Sequence, residues 1–252
     1  MLAGPITGIV TGIVTGALLG LLGGGGSILA VPSLIYALGM DTKSAIGTSL
    51  VIVGAASLLA ALAHLKNKQV RLGTAFSFGA SGGVGSVLGA LAGKAMPDQV
   101  QLMLFALLMI LIAVLMLRRQ ESPRPAAEAG RSRIAAVIGA GTGAGVLTGL
   151  LGVGGGFIIV PALTLVIGLP VKQAIGTSLV IIGINSLVGA SAYGGYVRLD
   201  GNLIPFAAGA LIAAPAAGHL AQRIEPDRLR RGFACLLLAL SIWMLAKQFL
   251  SF

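Results

Sequence analysis

Apolar residues run along this chain in stretches far longer than one face of a soluble helix requires. Residues 1–40 and 134–171 contain no Asp, Glu, Lys or Arg at all, and about 20 apolar residues suffice to cross a bilayer. Between the runs lie short polar segments, which divide the chain into elements. Residues 5–22 read as a helix that carries Gly8, Gly12, Gly16 and Gly20 four apart, a spacing that puts glycines on one face and lets another helix approach closely. Four glycines at 23–26 then break it. Residues 27–38 form a second piece of roughly 18 Å, too short to cross alone. Together, 5–38 predict a broken helical hairpin. Full spans are predicted at 42–65, 72–91 and 99–117, then a polar linker over 118–133.

The order then recurs. Residues 134–168 predict a second broken hairpin around glycines at 152–156, and spans follow at 171–193, 203–221 and 232–249. The recurrence is literal. GLLGGGGSILAVP at 20–32 returns as GLLGVGGGFIIVP at 149–161, and AIGTSLVI at 45–52 returns at 174–181. Both offsets are 129 (149 − 20 and 174 − 45), and the Pro-Asp pair at 97–98 returns at 226–227 with the same offset. From 20 to 58, 22 of 39 positions equal their mates. The chain is one unit duplicated: residues 1–117 form the first membrane repeat, 118–133 a linker, and 134–252 the second repeat.

Composition agrees with a membrane setting. Apolar residues make up 56% and charged residues 10%, against roughly 25% charged in a typical globular domain, and mean hydropathy is +1.00. The first apolar run lacks a basic leader and is expected to be retained as a helix. A single cysteine, Cys235, excludes an intramolecular disulfide and a cysteine metal cluster. The net charge of +10 sits in short loops, which points to cytoplasmic loops facing anionic lipid rather than to nucleic acid.

Equivalent loops differ in charge. Residues 64–71 are basic while their mates at 193–200 hold one Arg and one Asp; residues 94–98 are neutral overall, while the segment 222–231 that contains their mates carries Arg223, Arg228, Arg230 and Arg231. If basic loops are cytoplasmic, equivalent loops lie on opposite sides. The expected architecture is therefore an all-α polytopic membrane protein of two inverted-topology repeats, each a broken hairpin plus three transmembrane helices. The linker is then cytoplasmic and both termini fall outside. Many transporters are built this way.

The candidate chemistry follows the repeats. A run of four glycines exposes backbone amides that lipid cannot satisfy, so it must be buried in protein or line a wet cavity. Free amides at a break, facing the positive end of a short helix, make an anion receptor. Tight packing is the competing reading, and a dinucleotide fingerprint is excluded because no strand-helix unit surrounds the glycines. The candidate substrate-binding residues are Gly24, Gly25, Gly26 and Ser27 in the first break and Gly154, Gly155 and Gly156 in the second. Thr48, Ser49, Thr177 and Ser178 of the two AIGTSL copies join them, as does Asn185, whose mate is Ala56. Interhelical hydrogen bonding is the alternative for these hydroxyls. Lys43 and Lys172 are mates that either steer an anion or snorkel to the interface. All seven carboxylates fall in loops or at their edges, so a buried carboxylate proton carrier, a metal site and a resident cofactor are not expected. Two distant histidines and one cysteine leave no catalytic constellation.

The doubled GLLGxGGGxxxVP-like stretch, each copy followed by AIGTSL, resembles the TauE/SafE family, also called toluenesulfonate uptake permeases. Gly24 against Val153 and Ser27 against Gly156 are departures between the copies within the glycine-rich part. The resemblance covers nearly the whole chain. It implies a secondary transporter that moves a sulfur-containing anion (sulfite, a sulfonate or an organosulfonate), usually outward, across the bacterial plasma membrane. The alternative is an anion channel, or a permease for another small carboxylate or oxyanion. The partners expected are a small anionic substrate and the lipid bilayer, with a homodimer left open.

Overall fold

The computed structural model describes residues 3–23, 26–118, 131–152, 156–165, 167–198, 201, 203–221 and 224–250. Among these, every regular element is helical. In chain order they are α1 (Ala3–Leu22), α2 (Ser27–Pro32), a π-helical turn (Ser33–Ala37), α3 (Thr42–Lys66), α4 (Leu72–Ala95) and α5 (Asp98–Arg118). The second half supplies α6 (Arg131–Leu151), α7 (Gly156–Leu165), α8 (Val171–Ala192), a 3-10 turn (Gly194–Tyr196), α9 (Ile204–Ala221) and α10 (Pro226–Leu250). Five of them are long and apolar enough to cross a bilayer: Pro5–Leu22, Thr42–Lys66, Leu72–Ala95, Asp98–Leu115 and Val171–Ala192.

Local chemistry sets the ends. The Asp41 carboxylate accepts from the Ser44 backbone N–H at 3.0 Å and caps α3. Burial pushes this carboxyl up, but its hydrogen bonds from Ser44 and the Arg198 charge outweigh burial and hold it below its ordinary value. Pro32 removes a backbone donor inside the short first half-helix, and the chain opens into the π turn immediately after it. At the far end, α10 begins at Pro226, so Arg228, Arg230 and Arg231 belong to a helix rather than to the expected turn at 222–231. Proline suits a first helical position because its missing N–H has no partner there in any case. Most of the expected linker, 119–130, lies outside the described residues.

The halves are not side by side. The opening helix of each repeat packs on the other repeat: α1 against α9, and α6 against α4. Glycines make this possible. A Cβ at Gly12, Gly16 or Gly20 would strike the backbone of Phe206, Ala210 or Ala214; one at Gly141, Gly145 or Gly149 would meet the backbone of Phe78, Gly82 or Ser86. The α1 and α6 glycines are mates at 129, yet their partners are offset by 128 (206 − 78, 210 − 82, 214 − 86). The duplication has thus lost one residue of register between the third and fourth helices of a repeat.

At the centre α3 and α8, themselves mates, cross antiparallel. The start of α3 meets the end of α8 at Gly47 and Tyr193, their middles meet at Gly54 and Leu187, and the start of α8 meets the end of α3 at Gly176 and His64. This pair is the most enclosed part of the molecule, whereas α5 and α10 pack on each other farther out. Ile6, Phe76, Val84, Leu111, Ile212 and Ile242 are all more than half exposed, as expected of side chains that face lipid.

Candidate functional site

The site grows out of the two helix breaks. Each begins at a glycine with left-handed backbone: Gly23 at φ 61° and Gly152 at φ 70°, a conformation that costs other residues dearly. Each is pinned by the AIGTSL motif of the opposite repeat. The Ser178 hydroxyl shares its one proton between the Gly23 carbonyl at 2.5 Å and the Ile175 carbonyl of its own turn at 2.8 Å. The Ser49 hydroxyl shares its proton between the Gly152 carbonyl at 2.7 Å and the Ile46 carbonyl at 2.8 Å. The preceding isoleucines lie against the same glycines: an added Cβ would sit 2.7 Å from Ile175 Cγ2 at Gly23 and 2.6 Å from Ile46 Cγ2 at Gly152.

The rest of the motif is also used. Gly47 and Gly176 make room for Tyr193 and His64, with an added Cβ 3.1 Å and 3.0 Å from their Cβ atoms. Thr48 donates to the Arg198 carbonyl at 3.1 Å and accepts from its N–H at 3.0 Å, while Thr177 accepts from the Arg71 N–H at 3.0 Å. The four hydroxyls singled out by the motif therefore hold the breaks and the loops beside them. A hydroxyl has one proton to give, so a ligand at Ser49 or Ser178 would have to share or displace a backbone carbonyl.

The breaks do not lie side by side. Gly23 sits at the start of α8 and the end of α3; Gly152 sits at the start of α3. Measured along α3 from Ile46 to His64, 18 residues (64 − 46), they are roughly 27 Å apart. The candidate residues thus form two clusters: Gly26, Ser27, Thr177 and Ser178 at one end, and Gly156, Thr48 and Ser49 at the other. Gly24, Gly25, Gly154 and Gly155 lie outside the described residues. Lys43 is tied to the turn between α4 and α5, where its ammonium donates to the carbonyls of Gly93 and Met96, both at 2.6 Å, and to Gln101 Oε1 at 2.8 Å, and pairs with Asp98 at 3.3 Å. Lys172 is exposed on the first turn of α8.

Between the clusters, the interior is polar without being charged. Asn185 is fully buried, and neither atom of its amide has a partner. It lies under Gly82 of α4, where an added Cβ would come within 2.7 Å of Oδ1. The equivalent pair in the other half is Ala56 and Ala210 (185 − 129 and 82 + 128). A large polar residue over glycine replaces two alanines, which breaks the likeness of the two halves here. Ser57 and Ser186, mates at 129 in the middles of α3 and α8, are likewise fully buried with unpartnered hydroxyls, and Thr15 of α1 is a third. The sequence reading passed over Ser57, Ser186 and Thr15; comparing the repeats beyond AIGTSL would have exposed the two serines, since both copies read Ser-Leu there. His64, in sequence only one of two distant histidines, is 2% exposed. Among the described residues no group of three or more His, Cys, Asp or Glu could hold a metal.

An all-helical chain with five apolar spans, two broken hairpins and a buried seam of uncharged polar groups is a multi-pass cell-membrane transporter. Residues 8–244 match the family described as sulfite exporter TauE/SafE, and the chain belongs to that family. It is similar to a probable membrane transporter protein of Xylella fastidiosa strain 9a5c, 34% identical over 92% of this chain and 91% of that relative. It is also similar to the probable membrane transporter proteins YunE of Bacillus subtilis, 33% identical over 69% and 72% of the two chains, and MJ0441 of Methanocaldococcus jannaschii, 28% identical over 89% of each. No solved structure matches it.

Proposed function

We propose that this protein is a secondary transporter that exports a small sulfur-containing anion, sulfite or a sulfonate, with its two repeats inverted in the membrane. One observation carries the reading. The buried polar side chains are hydroxyls, amides and one imidazole, with no carboxylate, ammonium or guanidinium among the described ones, and Ser57, Ser186 and Asn185 have donors to spare. A cation finds no counter-charge in such an interior, whereas an anion finds donors. A sulfonate offers three acceptor oxygens to them and a carboxylate two. In this reading the anion binds at the break amides of Gly24–Gly26 and Gly154–Gly156 with Ser27, each break held in shape by Ser178 or Ser49 and the loop beside it by Thr177 or Thr48. It passes Asn185 on its way between the breaks, and Lys43 and Lys172 lie at opposite entrances.

The test is flux in proteoliposomes over a panel of sulfite, methanesulfonate, acetate and a cationic amine. Saturable sulfonate or sulfite flux that exchanges with internal anion is the expected result. Non-saturating flux would make the protein a channel, and equal flux of the amine would overturn the assignment to anions.

A further inference from the structure

His64 and Tyr193 are mates (64 + 129) and occupy equivalent places, each against the AIGTSL glycine of the other repeat. Their polar ends are treated differently. The Tyr193 hydroxyl lies 3.5 Å from Gln101 Nε2, whose amide also donates to the Leu150 carbonyl and whose oxygen accepts from Lys43. That end, beside the second break, is closed by a network. At the first break the ring has one nitrogen engaged: Nδ1 is 2.9 Å from Gln69 Oε1, an acceptor, so Nδ1 carries a proton. Nε2 is buried and has no partner. It faces Gly218 of α9, where an added Cβ would stand 3.6 Å from Nε2, 3.8 Å from the Gly20 carbonyl and 4.0 Å from the Ala60 carbonyl. A methyl-sized gap therefore separates a bare imidazole nitrogen from the last turn of α1, just ahead of the first break.

The surroundings select the ligand. Gln69 holds Nδ1 and His219 is a titratable neighbour across the seam, and neither is anionic. His219 and Lys66 line a groove on the same seam of α3 and α9, with Leu59, Leu62, Ala63 and Pro215. An imidazolium at this place is left without a counter-ion until an anion brings one, so proton and anion favour each other's binding.

We propose that His64 is a proton-linked anion contact at the first break: Nε2 takes a proton from water, and the N–H so formed donates to an oxygen of the transported anion in the gap before Gly218. One anion and one proton then enter the site together, and the pair is electroneutral. This rests on the anion-transport reading above and adds its coupling.

The probe is methanesulfonate, whose charge is constant over the range used, so any pH dependence belongs to the protein. Binding to the purified full-length protein is measured by calorimetry at about pH 5.5 and about pH 8, either side of the ordinary histidine value. Wild type should bind more tightly at the lower pH and, in buffers of different ionisation enthalpy, take up about one proton per anion when binding begins from the neutral ring. His64→Gln keeps a polar side chain that does not titrate. It should lose the pH dependence and roughly ten- to hundredfold in affinity at the lower pH, while His219→Gln retains the dependence. Gly218→Ala places a methyl in front of Nε2 at ordinary contact distances. It should leave the thermal unfolding midpoint unchanged and weaken binding by a similar factor. Binding that is equally tight at both pH values and survives His64→Gln and Gly218→Ala overturns the inference alone. No binding of methanesulfonate or sulfite by wild type at either pH overturns the transport reading, and this inference with it.

Discussion

A buried hydroxyl has one proton, and in this protein Ser49 and Ser178 share theirs between their own helix turn and the carbonyls that open the two helix breaks. Replacing either with alanine leaves a buried carbonyl unsatisfied, a loss of about 1–3 kcal/mol. Ser49→Ala and Ser178→Ala should each lower the thermal unfolding midpoint of the detergent-solubilised protein, and by comparable amounts because the two bonds are related by the repeat. An unchanged midpoint in both would remove the pinning role. Asn185 works in the opposite sense. Its unpartnered amide is a stability cost, so Asn185→Ala should leave the midpoint unchanged or raise it while reducing anion flux. Gly82→Ala drives a Cβ into that amide and should destabilise by about 1–3 kcal/mol. The double variant recreates the Ala56 and Ala210 pair of the other half and should recover most of the loss. Failure of the double variant to recover would mean that Gly82 is needed for a reason other than the size of Asn185.

Among whole elements, helix spacing is set by glycine. At Gly16 and Gly145 the neighbouring helix lies so near that a side chain would enter the backbone of Ala210 or Gly82, and no rotamer avoids that. Gly145→Leu must push α6 away from α4 and should cost more than the roughly 1–3 kcal/mol of ordinary core overpacking. Gly139, which has nothing within 4 Å of an added Cβ, is the control, and Gly139→Leu should be tolerated. Yield of monodisperse protein in detergent is the measurement; equal yields would refute close backbone packing. The sequence showed glycines four apart and hence a close approach, but not which helix approaches. The partner is in the other repeat, because α1 faces α9 and α6 faces α4.

For the whole molecule that exchange has a consequence. Neither 1–117 nor 134–252 contains the partner of its own first helix, so each expressed alone should be degraded, and the two co-expressed should assemble into one protease-resistant species. A stable isolated half would contradict the interlocked packing. The proposed inversion of the repeats makes a second whole-molecule prediction. In a Cys235→Ser background, cysteines placed at Asn67 and at Arg228 should both resist an impermeant reagent applied outside intact cells. Labelling of one and not the other would defeat the inversion.

Chain composition, the 129-residue repeat and its loop charges were enough to establish a duplicated, all-helical, multi-pass membrane protein and to mark the two breaks and AIGTSL. These properties are local or additive: hydropathy sums over a span, a glycine run breaks a helix wherever it occurs, and a duplication is visible as identity at fixed offset. What each marked residue does was decided only by packing. AIGTSL reads as a set of free donors until the opposite repeat arrives to take Ser49 and Ser178 with its break carbonyls and to fill Gly47 and Gly176 with Tyr193 and His64. The two breaks look equivalent in sequence, and only the antiparallel crossing of α3 and α8 puts them at opposite ends. Asn185, Ser57 and Ser186 become conspicuous only when their surroundings are seen to leave them unpartnered. Hydrogen bonding and burial are relations between residues that lie 99 to 155 positions apart here, and only the folded chain brings such residues together.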